Sequence, residues 1–194
     1  MILPIVAYGD PVLRKVGKEI NKDYPNLNEL LANMRETMKN AEGVGLAAPQ
    51  IGKDIRLFLI DASPFAESEA LEEEEKLFLK DFDRIFINAK IIEEDGDEWA
   101  FNEGCLSIPN INEDVFRNET ITIEYQDENF NHKKDRLSGV AARIFQHEFD
   151  HIEGVLFTDK LSSLKKRLLK KKLENISKGK VDVAYRMKFP NLKK

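Results

Sequence analysis

The segment His147-Glu148-Phe149-Asp150-His151 places two imidazoles four residues apart, with a carboxylate directly after the first. Residues four apart share one face of a helix, so both rings can reach one cation. Glu148, beside the first ring, can then act on a water at that cation without binding the ion itself. The chain has one cysteine, Cys105, and three histidines. A thiolate from Cys105 added to His147 and His151 leaves the fourth place of a tetrahedral ion open, as in catalytic rather than structural metal sites. A closed structural site would need another Cys or His. The remaining histidine, His132, sits beside a turn among Asn131, Lys133 and Lys134 and is expected at the surface. Imidazole and thiolate suit zinc and ferrous iron alike.

These groups need a helix and two loops to bring them together. Ser138 can cap a helix running to about Glu153, with Gly154 just past its end. Val140, Ala141, Ile144, Phe145 and Ile152 make that helix largely apolar, so it is expected to be buried. On a buried helix, Glu148 between two ligands reads as a general base. Asp150 points to another face and is expected to orient a neighbouring group. Cys105 lies in Glu103-Gly104-Cys105-Leu106-Ser107-Ile108-Pro109. There Gly104 allows close backbone approach, and Pro109 is expected to stop further strand pairing. The run Gly43 to Gly52 holds three glycines and a proline but lacks the spacing and Lys-Ser/Thr of a phosphate loop. Its small residues admit a substrate backbone, and the Gln50 amide can donate to a developing oxyanion.

Around these groups the periodicity predicts a strand in residues 2–8, a turn at Gly9-Asp10-Pro11 and an amphipathic helix from Leu27 to Asn40. A buried strand is expected at Ile55 to Ile60, a pair of short strands within Ile85 to Ile92, and a half-wet strand at Thr120 to Tyr125. Asp127-Glu128-Asn129 reads as a hairpin turn. A last helix starts near Ser162, with Leu164, Leu168, Leu169, Leu173 and Ile176 inward and lysines outward. Residues 66–83 carry eight acidic residues against two lysines and read as a solvated surface insert without a catalytic role. The pattern predicts an α+β fold with short antiparallel strands surrounding a central metal-binding helix, plus a C-terminal helix, all in one domain over 1–194.

The net charge of -5 gives no general case for nucleic acid, but it hides an asymmetry. Residues 160–194 hold thirteen Lys/Arg against two Asp/Glu, as in a basic tail with its own partner. One cysteine permits no internal disulfide. The N-terminal residues lack signal- or transit-peptide character, and no apolar window is long enough to span a bilayer. A soluble cytoplasmic protein is the expectation.

Four segments in order, Gly9-Asp10-Pro11-Val12-Leu13-Arg14, Gly43 to Gly52, Glu103 to Pro109 and Gln146 to His151, resemble the peptide deformylase family across almost the whole chain. The resemblance implies removal of the N-terminal formyl group from formyl-methionine of newly made polypeptides by metal-activated water. It implies Cys105, His147 and His151 as ligands of one divalent ion, Fe2+ natively, with Zn2+, Ni2+ or Co2+ also able to occupy the site. Glu148 would move the proton, while Gln50 and the Leu106 N–H would hold the oxyanion. The substrate backbone would pair with Val44-Gly45 and Gly104, and its methionine side chain would lie near Val44, Val140 and Ile144. In related enzymes the basic C-terminal helix is thought to dock on the ribosome; a monomer is expected. Two departures stand out. The acidic stretch is long, and Asn110 to Asp114 lacks an arginine that some relatives carry near Asn112, before the shared Arg117. Another His-Glu-x-x-His metallopeptidase, such as a zinc endopeptidase, would need no Cys105. A metal-stabilised binding module would need no Glu148.

Overall fold

In the computed structural model, which describes residues 1–192, one helix lies against the inner face of a sheet. The helix is α3 (Gly139–Ile152). Its Val140, Ala141, Ile144, Phe145 and Ile152 are buried as the apolar pattern requires, together with Phe58, Phe86, Ile121 and Ile123 of the sheet. Phe145 meets Phe58 and Phe86 edge-on, with ring centroids 5.1 and 5.0 Å apart. Each such fully buried side chain contributes about 1.5–3 kcal/mol of hydrophobic free energy. The sheet is antiparallel, with its strands in the order β2 (Gly45–Ala47), β3 (Leu57–Asp61), β4 (Asp83–Cys105), β5 (Ile108–Gln126) and β6 (His132–Ser138). This is the expected α+β class.

Two strands are longer than their apolar runs suggested. Instead of a short pair within Ile85 to Ile92, β4 continues for 23 residues through Glu93-Glu94-Asp95 to Cys105. Backbone pairing to β5 carries these exposed, acidic residues, with register shifts at Ile87/Lys90, Ile91/Glu93 and Asp95/Glu98. Pro109 does not end pairing; it lies inside β5. Cys105 pairs with Ile108 across a turn at Leu106-Ser107, and the register then shifts so that the next pair is Glu103 with Glu113. Pro109 falls in that bulge, where no ladder donor is required of it.

The remaining elements buttress this frame. The helix α1 (Leu27–Asn40) buries Leu30, Leu31, Met34 and Met38 beneath β2 and β3. Of residues 2–8, only Ile5–Val6 forms a strand, β1, which pairs in parallel with β7 (Met187–Lys188). The Gly9-Asp10-Pro11 turn becomes a short 3-10 helix, Pro11–Arg14, whose first N–H groups Asp10 caps. Asp127 likewise organises the β5–β6 turn by accepting from Asn129 and Asn131. The C-terminal helix α4 (Ser163–Ser177) is capped by the Ser162 hydroxyl and buries Leu169, Leu173 and Ile176. Leu164 and Leu168 face outward instead, 59% and 70% exposed. They lie on a flank of the helix that the Leu169-Leu173-Ile176 stripe turns away from the domain.

The acidic stretch is largely exposed, as its charge requires, but it also has a structural contact. It forms a 3-10 turn (Ser63–Glu67) and the helix α2 (Glu73–Lys80), which buries Leu79. Ser138 takes the N-cap place of α3, but its hydroxyl makes no cap bond. Glu75 does so from across the chain, its carboxylate accepting the Val140 N–H at 2.8 Å. Gly139 is required there twice over: its φ is +56°, and a Cβ would sit 2.3 Å from Glu75 Oε1. Loss of a helix N-cap costs about 1 kcal/mol. Glu75→Ala is therefore expected to lower the melting temperature by about 2–4 °C in calorimetry, whereas Glu74→Ala, on an exposed residue, is expected to leave it unchanged.

Candidate metal centre and active site

Cys105 ends β4, while His147 and His151 stand one turn apart on α3. One ligating atom from each lies within 4.8 Å of the others, and Cys105 Sγ is 3.3 Å from His151 Nε2. A thiolate and two imidazoles at such separations suit a single transition-metal ion. His147 is oriented by a carboxylate: its Nδ1 lies 2.9 Å from Glu103 Oε2, leaving Nε2 as the free ring nitrogen. His151 has no such partner for Nδ1 and is fixed by packing at 1% exposure. Burial holds its pKa well below the ordinary value, which favours the neutral ring.

Glu103 is the hub of the buried polar network. Its oxygens accept from Arg117 Nε at 2.7 Å and Nη2 at 2.9 Å, and from Arg143 Nη1 at 3.0 Å. Burial alone would raise its pKa, but the hydrogen bonds from Arg117 and His147 outweigh that and hold it below the usual carboxylate range. Arg117 also donates to Asp150 at 2.7 Å, so Asp150 reaches His147 through Arg117 and Glu103. Arg143 adds bonds to the Val115 and Trp99 carbonyls and lies over the Trp99 ring, 4.7 Å from its centroid.

Glu148 is 4% exposed and lines the cleft, and its Oε2 has no hydrogen-bond partner. Burial pushes its carboxyl up to about 7, with the nearby His147 opposing that rise. Gly45 makes room for it, since a Cβ there would lie 2.3 Å from Glu148 Oε1. The Gln50 amide is held by its carbonyl, which accepts the Ala47 N–H at 2.8 Å. Its Nε2 then faces Cys105 Sγ at 3.5 Å and Ser107 Oγ at 3.4 Å.

The cleft has a volume of about 550 Å³ and is lined by Val44, Gly45, Gln50, Gly104, Cys105, Leu106, Ile144, His147 and Glu148 among others. Val140 is absent from that lining; at 1% exposure it belongs to the core beneath α3. Phe65 from the 3-10 turn Ser63–Glu67 and Phe101 from β4 line the wall instead, ring centroids 6.2 Å apart. Neither residue stands out in the sequence, because each lies outside the runs whose periodicity predicts an element. Arg143, inside an apolar helix run, was the one available signal of a buried charge needing a partner.

The model of the family described as Polypeptide deformylase matches residues 2–167. The chain belongs to this family. It is 65% identical to a peptide deformylase of Christiangramia forsetii over 194 residues, covering 100% of this chain and 99% of that protein. It is 63% identical to one of Flavobacterium johnsoniae, with the same coverage of each. Among solved structures, the peptide deformylase of Thermotoga maritima superposes with a TM-score of 0.72 at 38% identity, covering 84% of this chain and 99% of that one. A plant peptide deformylase, PDF1B, gives 0.78 at 34% identity, covering 92% and 90%. The chain is thus a metal-dependent hydrolase that removes the formyl group from N-terminal formyl-methionine of nascent polypeptides.

The Gly45 contact gives a direct test of the site geometry. Gly45→Ala must displace the Glu148 carboxylate, and an ångström of misplacement costs about 10²-fold in rate. The variant is expected to lose that much kcat/KM for a formyl peptide while its circular dichroism spectrum stays unchanged.

Proposed function

We propose that Cys105, His147 and His151 hold one divalent ion, Fe2+ in the cell with Zn2+, Ni2+ or Co2+ as substitutes, and that Glu148, Gln50 and Leu106 carry the chemistry. The convergence of the three donors within 4.8 Å beside an unpartnered, buried Glu148 oxygen is the observation that supports this most strongly. Bound there, the ion supplies Lewis acidity that makes water nucleophilic near neutral pH and polarises the formyl carbonyl. Glu148 accepts a proton from the attacking water and returns it to the departing amine nitrogen. A C–O bond forms, the formyl C–N bond breaks, and formate and a free N-terminus leave. Gln50 Nε2 and the Leu106 N–H donate to the oxygen on which charge develops. Val44-Gly45 and Gly104 pair with the substrate backbone as an added strand. Ile144 and Val44 face the methionine side chain, with Phe65 and Phe101 on its outer side.

The whole chain acts as one catalytic domain, working as a monomer in the cytoplasm; no helix among the described residues is long and apolar enough to cross a membrane. The lysine-rich face of α4, with exposed Leu164 and Leu168, is the surface we assign to ribosome docking, where cationic side chains meet RNA phosphates.

The test is formate release from a formyl-Met-Ala peptide by protein purified without oxygen and loaded with Fe2+, beside an acetyl-Met-Ala control. Release from the formyl peptide alone is expected. Glu148→Ala is expected to lower kcat by about 10²–10⁴-fold while binding metal with parent stoichiometry, and Cys105→Ser to lose the metal. Metal retained by Cys105→Ser would favour the His-Glu-x-x-His metallopeptidase alternative, and no formate from Fe2+-, Ni2+- or Zn2+-loaded protein would sink the reading.

A further inference from the structure

The family model stops at residue 167, yet the chain beyond α4 returns to the cleft. After Ser177 the chain reverses at Gly179, and Met187–Lys188 pairs with β1. That pairing is firm: Ile5 N–H donates to the Arg186 carbonyl and Ala7 N–H to the Lys188 carbonyl, each at 2.9 Å. Met187 and Phe189 pack against the cluster of Leu169, Leu173 and Ile176. Between the reversal and the strand, Asp182, Val183, Ala184 and Tyr185 line the same cleft as Glu148 and His147. Two hydrogen bonds fasten this stretch to the β4–β5 turn and the start of β5. Asn110 Nδ2 donates to the Asp182 carbonyl at 3.0 Å, and the half-buried Tyr185 hydroxyl donates to the Leu106 carbonyl at 2.7 Å.

We propose that residues 181–189 are a working part of the active site: Tyr185 is a positioning residue that holds Leu106, and Asp182 to Ala184 form the wall that meets substrate residues beyond the methionine. This rests on the deformylase reading of the cleft. Leu106 is gripped from two sides. Its side chain abuts Gly43, where a Cβ would lie 2.7 Å from Leu106 Cδ1, and its carbonyl is held by Tyr185. Its N–H is the proposed oxyanion donor, so a residue free to rock would lose donor alignment first in the transition state. The wall has a charge as well. Asp182 and Glu42 are exposed at the rim and form no ion pair among the described residues. Rim carboxylates engaged in no ion pair among the described residues favour a cationic residue on the incoming chain.

Two sets of kinetics decide the matter, with Fe2+-loaded full-length protein throughout. Tyr185→Phe keeps the ring and removes the hydroxyl. It is expected to lower kcat by roughly 3- to 10-fold, the scale of one hydrogen bond, with KM for formyl-Met-Ala unchanged. Formyl-Met-Ala-Lys is expected to exceed formyl-Met-Ala-Glu in kcat/KM by a few-fold, through KM and less so at high salt. Asp182→Lys is expected to reverse that order. An unchanged kcat in Tyr185→Phe overturns the positioning role, and the same peptide order in Asp182→Lys overturns the wall. A parent protein inactive on formyl-Met-Ala would overturn the deformylase reading itself.

Discussion

The arrangement turns on one buried carboxylate. Glu103 sits at 4% exposure near the end of β4 and collects Arg117 from β5 together with Arg143 and His147 from α3. An isolated carboxylate at that depth would be prohibitively costly to desolvate. With two guanidiniums, and with Asp150 completing the balance against Arg117, the charges cancel within one hydrogen-bonded cluster. Such clusters add little net stability compared with apolar packing, yet they break badly when one member is lost. What this one supplies is register. It ties the strand that ends in Cys105 to the helix that carries both imidazoles, and so sets the mutual position of the three donors.

The same cluster explains how Glu148 differs from Glu103, two carboxylates close together on opposite assignments. Glu103 is saturated by donors and stays ionised, while Glu148 has an unpartnered oxygen and a pKa raised to about 7 by burial. A carboxyl in the second environment can take and return a proton near neutral pH. Gly45 keeps that environment narrow, because the cleft wall approaches the carboxylate at a distance no side chain would permit.

Much of this was legible in the sequence because the signals were local. The i, i+4 histidines, the apolar face of α3 and the limits of α1, Leu27 to Asn40, depend on spacing within one element. Features set by distant partners were not legible. The part of β4 after Ile92 begins with acidic residues and lies beyond the strands expected from apolar runs, but β5 supplies its backbone partners. Glu75 looked like solvated charge because the N–H it caps lies 65 residues away. Val140 has the right type for a pocket and the wrong azimuth, while Phe65 and Phe101 take the cleft wall from unrelated segments. The inward assignment of Leu164 and Leu168 failed for a related reason: lysine stems and leucines can share a helix flank, and hydropathy alone does not say which leucine stripe meets the domain.

Cys105 and His151 are 46 residues apart in sequence, and between them run the turn, β5, β6 and most of α3. The three donors therefore converge only once that whole stretch has closed. A species that binds the folded chain and not the open one adds RT ln(1 + [L]/Kd) to stability, about 2.7 kcal/mol at a hundredfold excess over Kd. With the proposed ion on these donors, the lifetime of the polypeptide in the cell would be linked to the supply of its metal. Scarcity would deplete the protein through proteolysis of the opened chain, as well as idling the copies that remain.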